Sequence, residues 1–324
     1  MQNILVVNNY VKSYYQNLGE IIKIEQLKHN NINSTNFLVT TTKSRYVVRK
    51  VLDGSSSKKI ENMCKILQFC KKNDCKVHVP IKNDFKKYSI NKDKIYLTKY
   101  YEGMAFNGKL SELNDLAKNI ALLHQTLKKN RISYNHRTNL NQFKVLNKYE
   151  LKNIKEKLLH REKKSKFDLM VFNSLEFLIE NIDSQNKLAI IEKLPYKKQL
   201  IHYDLIPDNV IFSNGKVLAI IDFNSMHVDN KIKDIALASF RFTVSKTKNV
   251  TKIEKRIRNF VKTYITYNEI EEEFILNLDY FIKQQILERI SHILRSYYLY
   301  NFTSWSIDFQ KNIDFLKLIK NFKM

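Results

Sequence analysis

Three polar side chains in one short segment are of the types that position and transfer a phosphate group. Asp204 and Asn209 stand five positions apart in IHYDLIPDNVIF, and Asp222 ends the second apolar run after Asp204. Carboxylate and amide oxygens are the hard ligands that Mg²⁺ takes in proteins, and a carboxylate can also accept the proton of an attacking hydroxyl. Phosphoryl transfer from ATP requires both functions. We therefore expect Asn209 and Asp222 to bind Mg²⁺ and Asp204 to act on the acceptor hydroxyl.

Apolar runs on either side of these residues predict the strands that position them. QLIHYD, NVIF and VLAIIDF are short and apolar, and SNGK at 213–216 is typical of a tight connection between two strands. Each polar residue alone is an ordinary loop residue. The joint pattern, with Asp-Phe where a metal-binding turn would begin, favours a catalytic loop over 201–224.

A small antiparallel sheet is predicted before this loop. Residues 20–52 contain three runs rich in β-branched and aromatic residues: EIIKIEQL, STNFLVTTT and SRYVVRKVL. Serines 55–57 are suited to cap the following helix, KKIENMCKILQFCKKND, whose apolar residues recur every three or four positions. VHVPI and KIYLTKYYEG predict two further strands, so residues 1–103 form a predicted N-terminal lobe.

The remainder of the chain has mostly helical periodicity. SELNDLAKNIALLHQTL carries one apolar stripe, helical segments fill most of 141–192, and the pattern is helical again after Asp234. Glu271 to Glu273 are typical of first-turn charges of a helix. The predicted fold class is α+β, with a small antiparallel-sheet lobe and a large, mostly helical lobe over 104–324.

Composition restricts the class of protein. The 56 Lys and Arg residues exceed the 32 Asp and Glu by a net charge of +24, but the basic residues are spread along the chain, so we expect no specific nucleic-acid partner. The sequence contains no run of eighteen apolar residues, so no membrane span is predicted. Cys64, Cys70 and Cys75 lack a Cys-x-x-Cys spacing and are odd in number, which indicates neither disulfides nor zinc. We expect a cytoplasmic protein.

Residues 201–240 resemble the catalytic core of the aminoglycoside phosphotransferase and choline kinase family, small-molecule relatives of the protein kinases. The family motif is matched by His202, Asp204, Asn209, Asp222 and Asp234, whereas Tyr203 and Asn224 depart from its usual residues. The resemblance implies a protein-kinase-like two-lobed fold, ATP and Mg²⁺ as cofactors, and a catalytic Asp204. It also implies that Asp234 braces the catalytic loop; the alternative is a surface Asp that caps a helix.

The resemblance extends to the N-terminal lobe. KHNNINSTNFLV stands in the place of the phosphate-covering loop without any glycine, and its backbone N–H groups and the Ser34 hydroxyl are expected to contact phosphates. Arg49 stands where kinases carry their phosphate-binding lysine; Lys50 is its neighbour, but strand alternation puts only one of them into the cleft. We expect Arg49 to pair with Glu61; the alternative is an exposed strand cation and a surface helix acid.

The same resemblance assigns residues 96–103 to a hinge segment between the lobes. Its backbone groups are expected to contact adenine, with Tyr100, Tyr101 and Glu102 closest. His124 is left out of the site, because a histidine on the apolar stripe of a helix is more often a satisfied core residue than a catalytic one.

The sequence determines the acceptor less well than the reaction. In this fold the acceptor pocket is built by helices before the catalytic loop and at the C-terminus, here 141–192 and 271–321. NSTNFLVTTTKSRYVV with HYDLIPDNVIF resembles the homoserine kinases, and INSTNFLV followed by YVVRKV is similar to the N-acetylhexosamine 1-kinases. We expect phosphate transfer to a hydroxyl of a small metabolite, such as homoserine, choline, a sugar or an amino sugar. Aminoglycosides, which the scarcity of acids disfavours, and a non-catalytic kinase-like scaffold or coat protein are the alternatives.

Overall fold

The structure is a computed structural model of the chain. It describes residues 2–27, 34–52, 56–88, 94–134, 144–183, 197–303, 305–320 and 322. The chain divides into two compact units. The first comprises Met1–His136, Gln199–Val228 and Thr263–Asn268, and the second comprises Arg137–Lys198, Asp229–Lys262 and Glu269–Met324. A boundary between lobes at residue 103 stays a prediction.

The first unit contains a five-stranded antiparallel sheet. Its strands are β1 (Ile21–Leu27), β2 (Ser34–Thr41), β3 (Arg45–Val51), β4 (Pro80–Ile81) and β5 (Ile95–Lys99), in the order β1-β2-β3-β5-β4. In the central strand β3, Arg49 lies opposite Asn36 on β2 and opposite Tyr96 on β5. The three strands predicted within 20–52 are therefore present.

Helix α1 (Gln2–Tyr14) packs on one face of this sheet, and the sequence-based predictions did not include it. Val7, Tyr10 and Val11 are buried in a core with strand residues such as Phe37 and Val48. Because side chains alternate along a strand, the residues between these core positions on β2 and β3 face away from α1. That second face carries the candidate site.

Helix α2 (Ser57–Lys72) follows the sheet's first three strands as predicted. The Ser56 side chain caps it by accepting from the N–H of Lys59, and its apolar face is buried. The segment predicted as the strand VHVPI pairs with β5 only at β4; before Pro80 it bonds instead to Ile220, through Lys76 and His78. This connection fixes the segment before β4 to the strand that leads to Asp222.

The hairpin predicted around 213–216 is present. β7 (Val210–Ser213) pairs antiparallel with β8 (Lys216–Ile220), and Asn214 and Gly215 form the turn with φ values of 50° and 74°. Asn and Gly are the residues that accept this left-handed backbone most readily.

Two further elements complete the surroundings of the hairpin. β6 (Gln199–Ile201) pairs with β9 (His227–Asp229), and α3 (Leu110–Lys129) packs against β6 and β8. Asp204 and Asn209 lie between β6 and β7, and Asp222 follows β8. Strand ends thus position all three polar residues.

The second unit is mostly helical in its described part. Its helices are α4 (Lys148–Leu159), α5 (Lys166–Asp183), α6 (Ile232–Val244), α7 (Val250–Ile265), α8 (Glu272–Leu276), α9 (Leu278–Tyr300) and α10 (Phe309–Ile319). Helix α9 packs against α6 and α10, and Glu272 and Glu273 occupy the first turn of α8 as predicted. Sheet and helices together confirm the α+β class. Over the residues described, no helix has both the length and the apolar character needed to cross a membrane.

Candidate functional site

The predicted catalytic loop begins at His202, which is fully buried. Its Nε2 donates to the carbonyl of Ile221 at 2.9 Å, and its Nδ1 accepts from the backbone N–H of Asp204 at 3.2 Å. Nε2 must be the protonated nitrogen, because a carbonyl oxygen only accepts. His202 therefore ties Asp204 to the residue before Asp222 and positions both.

Asn209 lies directly against Asp204. Its Nδ2 donates to Oδ2 and to the backbone carbonyl of Asp204, each at 2.8 Å. A single turn of 3₁₀ helix, Pro207–Asn209, brings the amide back over the loop. Because both N–H bonds of the amide are directed at Asp204, the amide oxygen is the atom suited to ligate a cation.

Asp222 has a left-handed backbone, with φ 63° and ψ 63°. A non-glycine residue in this region costs about 1 kcal/mol or more, and such residues cluster at functional sites. Asn224, one of the departures from the family motif, donates from Nδ2 to Oδ1 of Asp222 at 3.0 Å. The N–H of Ile221 donates to the carbonyl of Asn209 at 2.9 Å, which makes Asn209 and Asp222 neighbours.

Arg49 reaches the same carboxylate from β3. Its Nη2 lies 3.1 Å from Oδ2 of Asp222, and the two side chains are only 11% and 21% exposed. Tyr96, opposite Arg49 on β5, is buried; burial raises its pKa well above 10.0, and the charge of Arg49 opposes this shift. By alternation Lys50 faces the opposite side of the sheet, so Arg49 is the cation that meets the candidate site.

Ser34 and Asn36 present two buried polar atoms on this face of the sheet. The Oγ of Ser34 and the Oδ1 of Asn36 have no hydrogen-bond partner among the residues that the structure describes. Leaving such an atom unpaired costs about 1–3 kcal/mol, so a buried orphan calls for a ligand or another partner. Residues 28–33, which complete the predicted phosphate loop, lie outside the described residues. A contact between the Ser34 hydroxyl and a phosphate stays a prediction.

Glu61 lies on α2, one turn before Lys65. Its Oε1 is 3.7 Å from the Lys65 Nζ, and both side chains are partly exposed, so this pair adds little to stability. The structure pairs Arg49 with Asp222, and a pair between Arg49 and Glu61 stays a prediction.

The hinge residues Tyr100, Tyr101 and Glu102 border an open cavity of about 520 Å³. The N–H of Tyr100 donates to the carbonyl of Arg45 at 2.9 Å, and the Arg45 guanidinium lies 4.6 Å from the centre of the Tyr100 ring. Glu102, which is 76% exposed, forms an ion pair with Arg45. These contacts fix the backbone of the segment whose peptide groups are predicted to meet adenine.

The residues present fit a magnesium ion that is shared with phosphates. Within the part of the chain that the structure describes, no group of three or more His, Cys, Asp or Glu could hold a metal ion alone. Mg²⁺ in nucleotide sites characteristically takes one or two protein oxygens and completes its shell with phosphates and water. Asn209 and Asp222 supply such a pair.

His124 and Asp234, which the sequence analysis considered, are not among the residues gathered around Asp204 and Asp222. His124 is buried on α3, with its Nδ1 2.8 Å from the hydroxyl of Tyr264, so it is a satisfied core histidine. Asp234 lies in the first turn of α6 and is fully buried, which excludes the surface position considered as its alternative. Its bracing role stays a prediction.

Sequence reasoning missed the side chains of Asn36, of Tyr96, which it placed only in the hinge segment 96–103, and of Asn224. The signal for the first two was available: on a strand facing a site, polar residues at alternate positions belong to one face. Asn224 stood out only as a departure from the motif, although an amide two positions after a left-handed Asp can hold its carboxylate.

A second cavity lies within the helical unit, between α4 and α9. Its volume is about 670 Å³, and apolar side chains such as Leu146, Ile154 and Leu294 line it beside charged ones. Arg295 Nη2 bonds both carboxylate oxygens of Glu150, at 3.0 and 3.2 Å. The two helices belong to the segments 141–192 and 271–321, for which an acceptor pocket is predicted.

The sequence matches the phosphotransferase enzyme family over residues 23–257, more than half of the chain. None of the curated proteins matches it significantly.

Solved structures with a similar fold are small-molecule phosphotransferases. A spectinomycin phosphotransferase in complex with ADP and spectinomycin has a TM-score of 0.69 and 15% identity, with 98% of this chain and 96% of that chain covered. Amicoumacin kinase in complex with AMP-PNP, Ca²⁺ and Ami has a TM-score of 0.66 and 14% identity, with 98% of this chain and 92% of that chain covered. Choline kinase LicA from Streptococcus pneumoniae has a TM-score of 0.61 and 16% identity, with 99% of this chain and 100% of that chain covered. At these identities the likeness shows the fold alone, which is the predicted protein-kinase-like one.

Proposed function

Because the chain belongs to the phosphotransferase enzyme family, we propose that it transfers the γ-phosphate of ATP, with Mg²⁺, to a hydroxyl of a small metabolite. The observation that carries this proposal is the hydrogen-bonded pair of Asp204 and Asn209, which the N–H of Ile221 links to the residue before Asp222, with Arg49 on the Asp222 carboxylate. Hard oxygen ligands, a carboxylate base and a phosphate-seeking cation are the parts that phosphoryl transfer requires.

Asp204 is the catalytic base in this proposal. Its carboxylate takes the proton of the acceptor hydroxyl as the hydroxyl oxygen bonds to the γ-phosphorus, and the bond from phosphorus to the bridging oxygen of ADP breaks. Asn209 keeps Asp204 in place through its 2.8 Å bonds and, with Asp222, holds the metal. Bound Mg²⁺ neutralises charge on the phosphates.

The nucleotide is held by residues of the first unit. Arg49 exchanges Asp222 for oxygens of the α- and β-phosphates, with Glu61 as its counter-charge, and Ser34 donates to a phosphate. Tyr100, Tyr101 and Glu102 present their backbone to the base. ADP and AMP-PNP in the complexes of the structural neighbours support an adenine nucleotide, and Ca²⁺ in one of them supports a divalent cation.

We propose that helices within 141–192 and 271–321 contribute to acceptor binding, and that the cavity between α4 and α9 is the candidate pocket among them. Its mixed apolar and charged lining suits a small amino alcohol, such as homoserine or choline, or a sugar or amino sugar. A polycationic aminoglycoside needs several free carboxylates, whereas the cavity offers Glu150 and Glu156, and Glu150 is already paired with Arg295. Among the neighbours, choline kinase is named for an amino alcohol and spectinomycin phosphotransferase for an antibiotic.

The proposal is tested by a phosphate-transfer screen with γ-labelled ATP and Mg²⁺ against amino alcohols, amino sugars, choline, thiamine and aminoglycosides. We expect transfer to one class, and a loss of about 10²-fold or more in Asp204→Asn, as for removal of a general base. Asp208→Asn is the matched control, because Asp208 is an exposed carboxylate on the same loop. Equal turnover in wild type and Asp204→Asn would remove Asp204 from its role.

A non-catalytic scaffold or coat protein is the competing function. It predicts no stabilisation by millimolar Mg²⁺-ATP and no transfer to any acceptor. Stabilisation without transfer would instead indicate an acceptor outside the screened classes, because ligand binding raises the apparent stability of the folded state whatever the acceptor.

A further inference from the structure

Tyr203 stands directly before Asp204 and has a left-handed backbone, with φ 65°. Among the non-glycine residues of positive φ in the described part of the chain, it is the only aromatic one. Such a backbone is rare for a bulky residue and costs free energy, and strain of this kind clusters at functional sites. The turn has a local cause, because the N–H of Asp204 donates back to Nδ1 of His202 at 3.2 Å and so folds the chain over Tyr203.

The ring of Tyr203 packs against the imidazole of His227. The two rings meet edge-on, at 78° and with centroids 4.2 Å apart. Aromatic pairs prefer this geometry, and their contact adds stability beyond the area that they bury. His227 is buried, and its Nδ1 lies 3.0 Å from the carbonyl oxygen of Ser225. A carbonyl oxygen only accepts, so Nδ1 carries the hydrogen and the imidazole is held in place against Tyr203.

This ring contact joins the proposed base to the proposed metal ligand. Ser225 ends the 3₁₀ turn that begins after Asp222. Contacts therefore run from this turn through Ser225 and His227 to the Tyr203 ring, and Tyr203 is one peptide bond from Asp204. Glycine would accept the same backbone without strain, so the backbone alone gives no reason for a tyrosine at this position. What the tyrosine adds is the ring on His227.

We propose that Tyr203 is a positioning residue of the phosphotransfer reaction: its ring, packed on His227, holds the left-handed peptide that directs the Asp204 carboxylate at the acceptor hydroxyl. Because Asp204 must act as the base, this role rests on the proposed function. A catalytic group that is misplaced by about 1 Å costs about 10²-fold in rate, so a contact that restricts this peptide controls the rate of the chemical step.

The test is Tyr203→Gly, which keeps the left-handed backbone accessible and removes the ring. We expect the single-turnover rate of phosphate transfer from Mg²⁺-ATP to fall by about 10- to 100-fold, to the acceptor that the screen identifies and to water alike. Single-turnover conditions are chosen because product release can limit kcat. The acceptor KM and the Kd for Mg²⁺-ATP should stay within about twofold of wild type, since the lost interaction serves only the transition state. Tyr203→Phe keeps the ring and should recover most of the rate.

Asn214→Gly is the matched control. Asn214 is also a non-glycine residue with a left-handed backbone, φ 50°, and lies in the turn between β7 and β8. Its replacement makes the same kind of backbone change without removing an aromatic ring, so the wild-type rate should be kept. His227→Leu removes the other ring of the pair. The double variant Tyr203→Gly/His227→Leu should be no slower than the slower single variant, because both changes break one contact.

Tyr203→Asn takes the place of Tyr203→Gly should the glycine variant fail to fold, because asparagine also accepts a left-handed backbone. An unchanged transfer rate in the folded variant would overturn the positioning role. A raised acceptor KM at an unchanged rate would overturn it as well, because Tyr203 would then contact the acceptor itself. Failure of the wild type to bind Mg²⁺-ATP would instead overturn the proposed function.

Discussion

Arg49 and Asp222, 173 positions apart in the chain, form an ion pair in which Nη2 lies 3.1 Å from Oδ2. One is the predicted phosphate-binding cation and the other the predicted metal ligand. With no nucleotide bound, each side chain neutralises the charge of the other. In the proposed complex with Mg²⁺-ATP, Arg49 would pair with the phosphates and Asp222 with Mg²⁺. Entry of the metal and phosphates then exchanges one favourable pairing for two, so the cation and carboxylate are not left uncompensated in a partly buried place.

We predict that Arg49→Ala raises the Kd for Mg²⁺-ATP by about ten- to hundredfold, the value of one hydrogen bond to a charged group. Lys50→Ala is the matched control, because this cation is next in sequence but faces the other side of β3. Isothermal calorimetry measures both. If the two variants raise the Kd for Mg²⁺-ATP equally, the assignment of Arg49 to the phosphates is wrong.

Gly103 is predicted to be irreplaceable for nucleotide binding. A Cβ there would lie 2.3 Å from Cγ2 of Ile211 and 2.6 Å from the carbonyl oxygen of Phe212. Gly103→Ala therefore has to displace the hinge segment from β7, at about 1–3 kcal/mol of stability, and should weaken ATP as well.

The control for this prediction is Gly215→Ala. Gly215 has φ +74°, and a Cβ at this residue would meet nothing within 4 Å, so the variant should lose stability through backbone strain but keep the wild-type Kd for ATP. Chemical denaturation and calorimetry separate the two effects. Normal ATP binding by a folded Gly103→Ala protein would show that the hinge segment does not contact the base.

The cavity between α4 and α9 is predicted to bind the acceptor and not the nucleotide. Asn153 lines this cavity, and Asn153→Trp should fill it. We expect a large rise in KM for the acceptor that the screen identifies, with the Kd for ATP unchanged. Lys152→Trp places the same ring on the exposed neighbouring position and is the matched control. An unaltered acceptor KM in Asn153→Trp would place the acceptor elsewhere.

Asp168 should make stability depend on pH in the acid range. Burial alone would raise its pKa, but hydrogen bonds from Ser165 and Tyr298 and the charge of Arg161 together hold the pKa below 3.8. Arg161 Nη1 lies 2.8 Å from each carboxylate oxygen. Because the folded pKa is below the unfolded one, this stabilisation is complete above about pH 4–5 and is lost as the pH falls through the folded value.

We therefore predict that Asp168→Asn lowers the free energy of unfolding by about 1.5–3 kcal/mol at pH 7, as for losing a hydrogen bond to a charged group. The difference from wild type should shrink as the pH falls below about 4. Glu180→Gln, an exposed carboxylate on the same helix, is the control. A difference that is constant between pH 3 and pH 7 would contradict this account of Asp168.

Local patterns predicted most elements of the fold. The three strands of 20–52, the capped helix α2 and the hairpin at 213–216 all have their signals within a few residues of the element itself. Helix α1 was missed because its apolar residues are interspersed with Asn and become a buried face only against the sheet. β4 is shorter than predicted because its N-terminal neighbours, Lys76 and His78, bond to Ile220, a partner that is remote in sequence.

The candidate site, too, was predicted only where its signals are local in the sequence. Asp204, Asn209 and Asp222 were singled out because their spacing on one loop and one strand end is a local property. The contact between Arg49 and Asp222 was not predicted, since it depends on how β3 and β8 are brought together by the rest of the unit.

Metal-dependent nucleotide binding tests the central claim most directly. In a thermal-shift or calorimetric titration, ATP with Mg²⁺ should stabilise the wild-type protein by about 2.7 kcal/mol at a ligand concentration of 100 Kd. ATP with EDTA should not stabilise it. Asp222→Asn should lose this metal-dependent stabilisation, whereas Asp204→Asn should keep it. Equal stabilisation of wild type and Asp222→Asn, or none in wild type at millimolar Mg²⁺-ATP, would contradict the assignment of this loop and strand end as a phosphotransfer site.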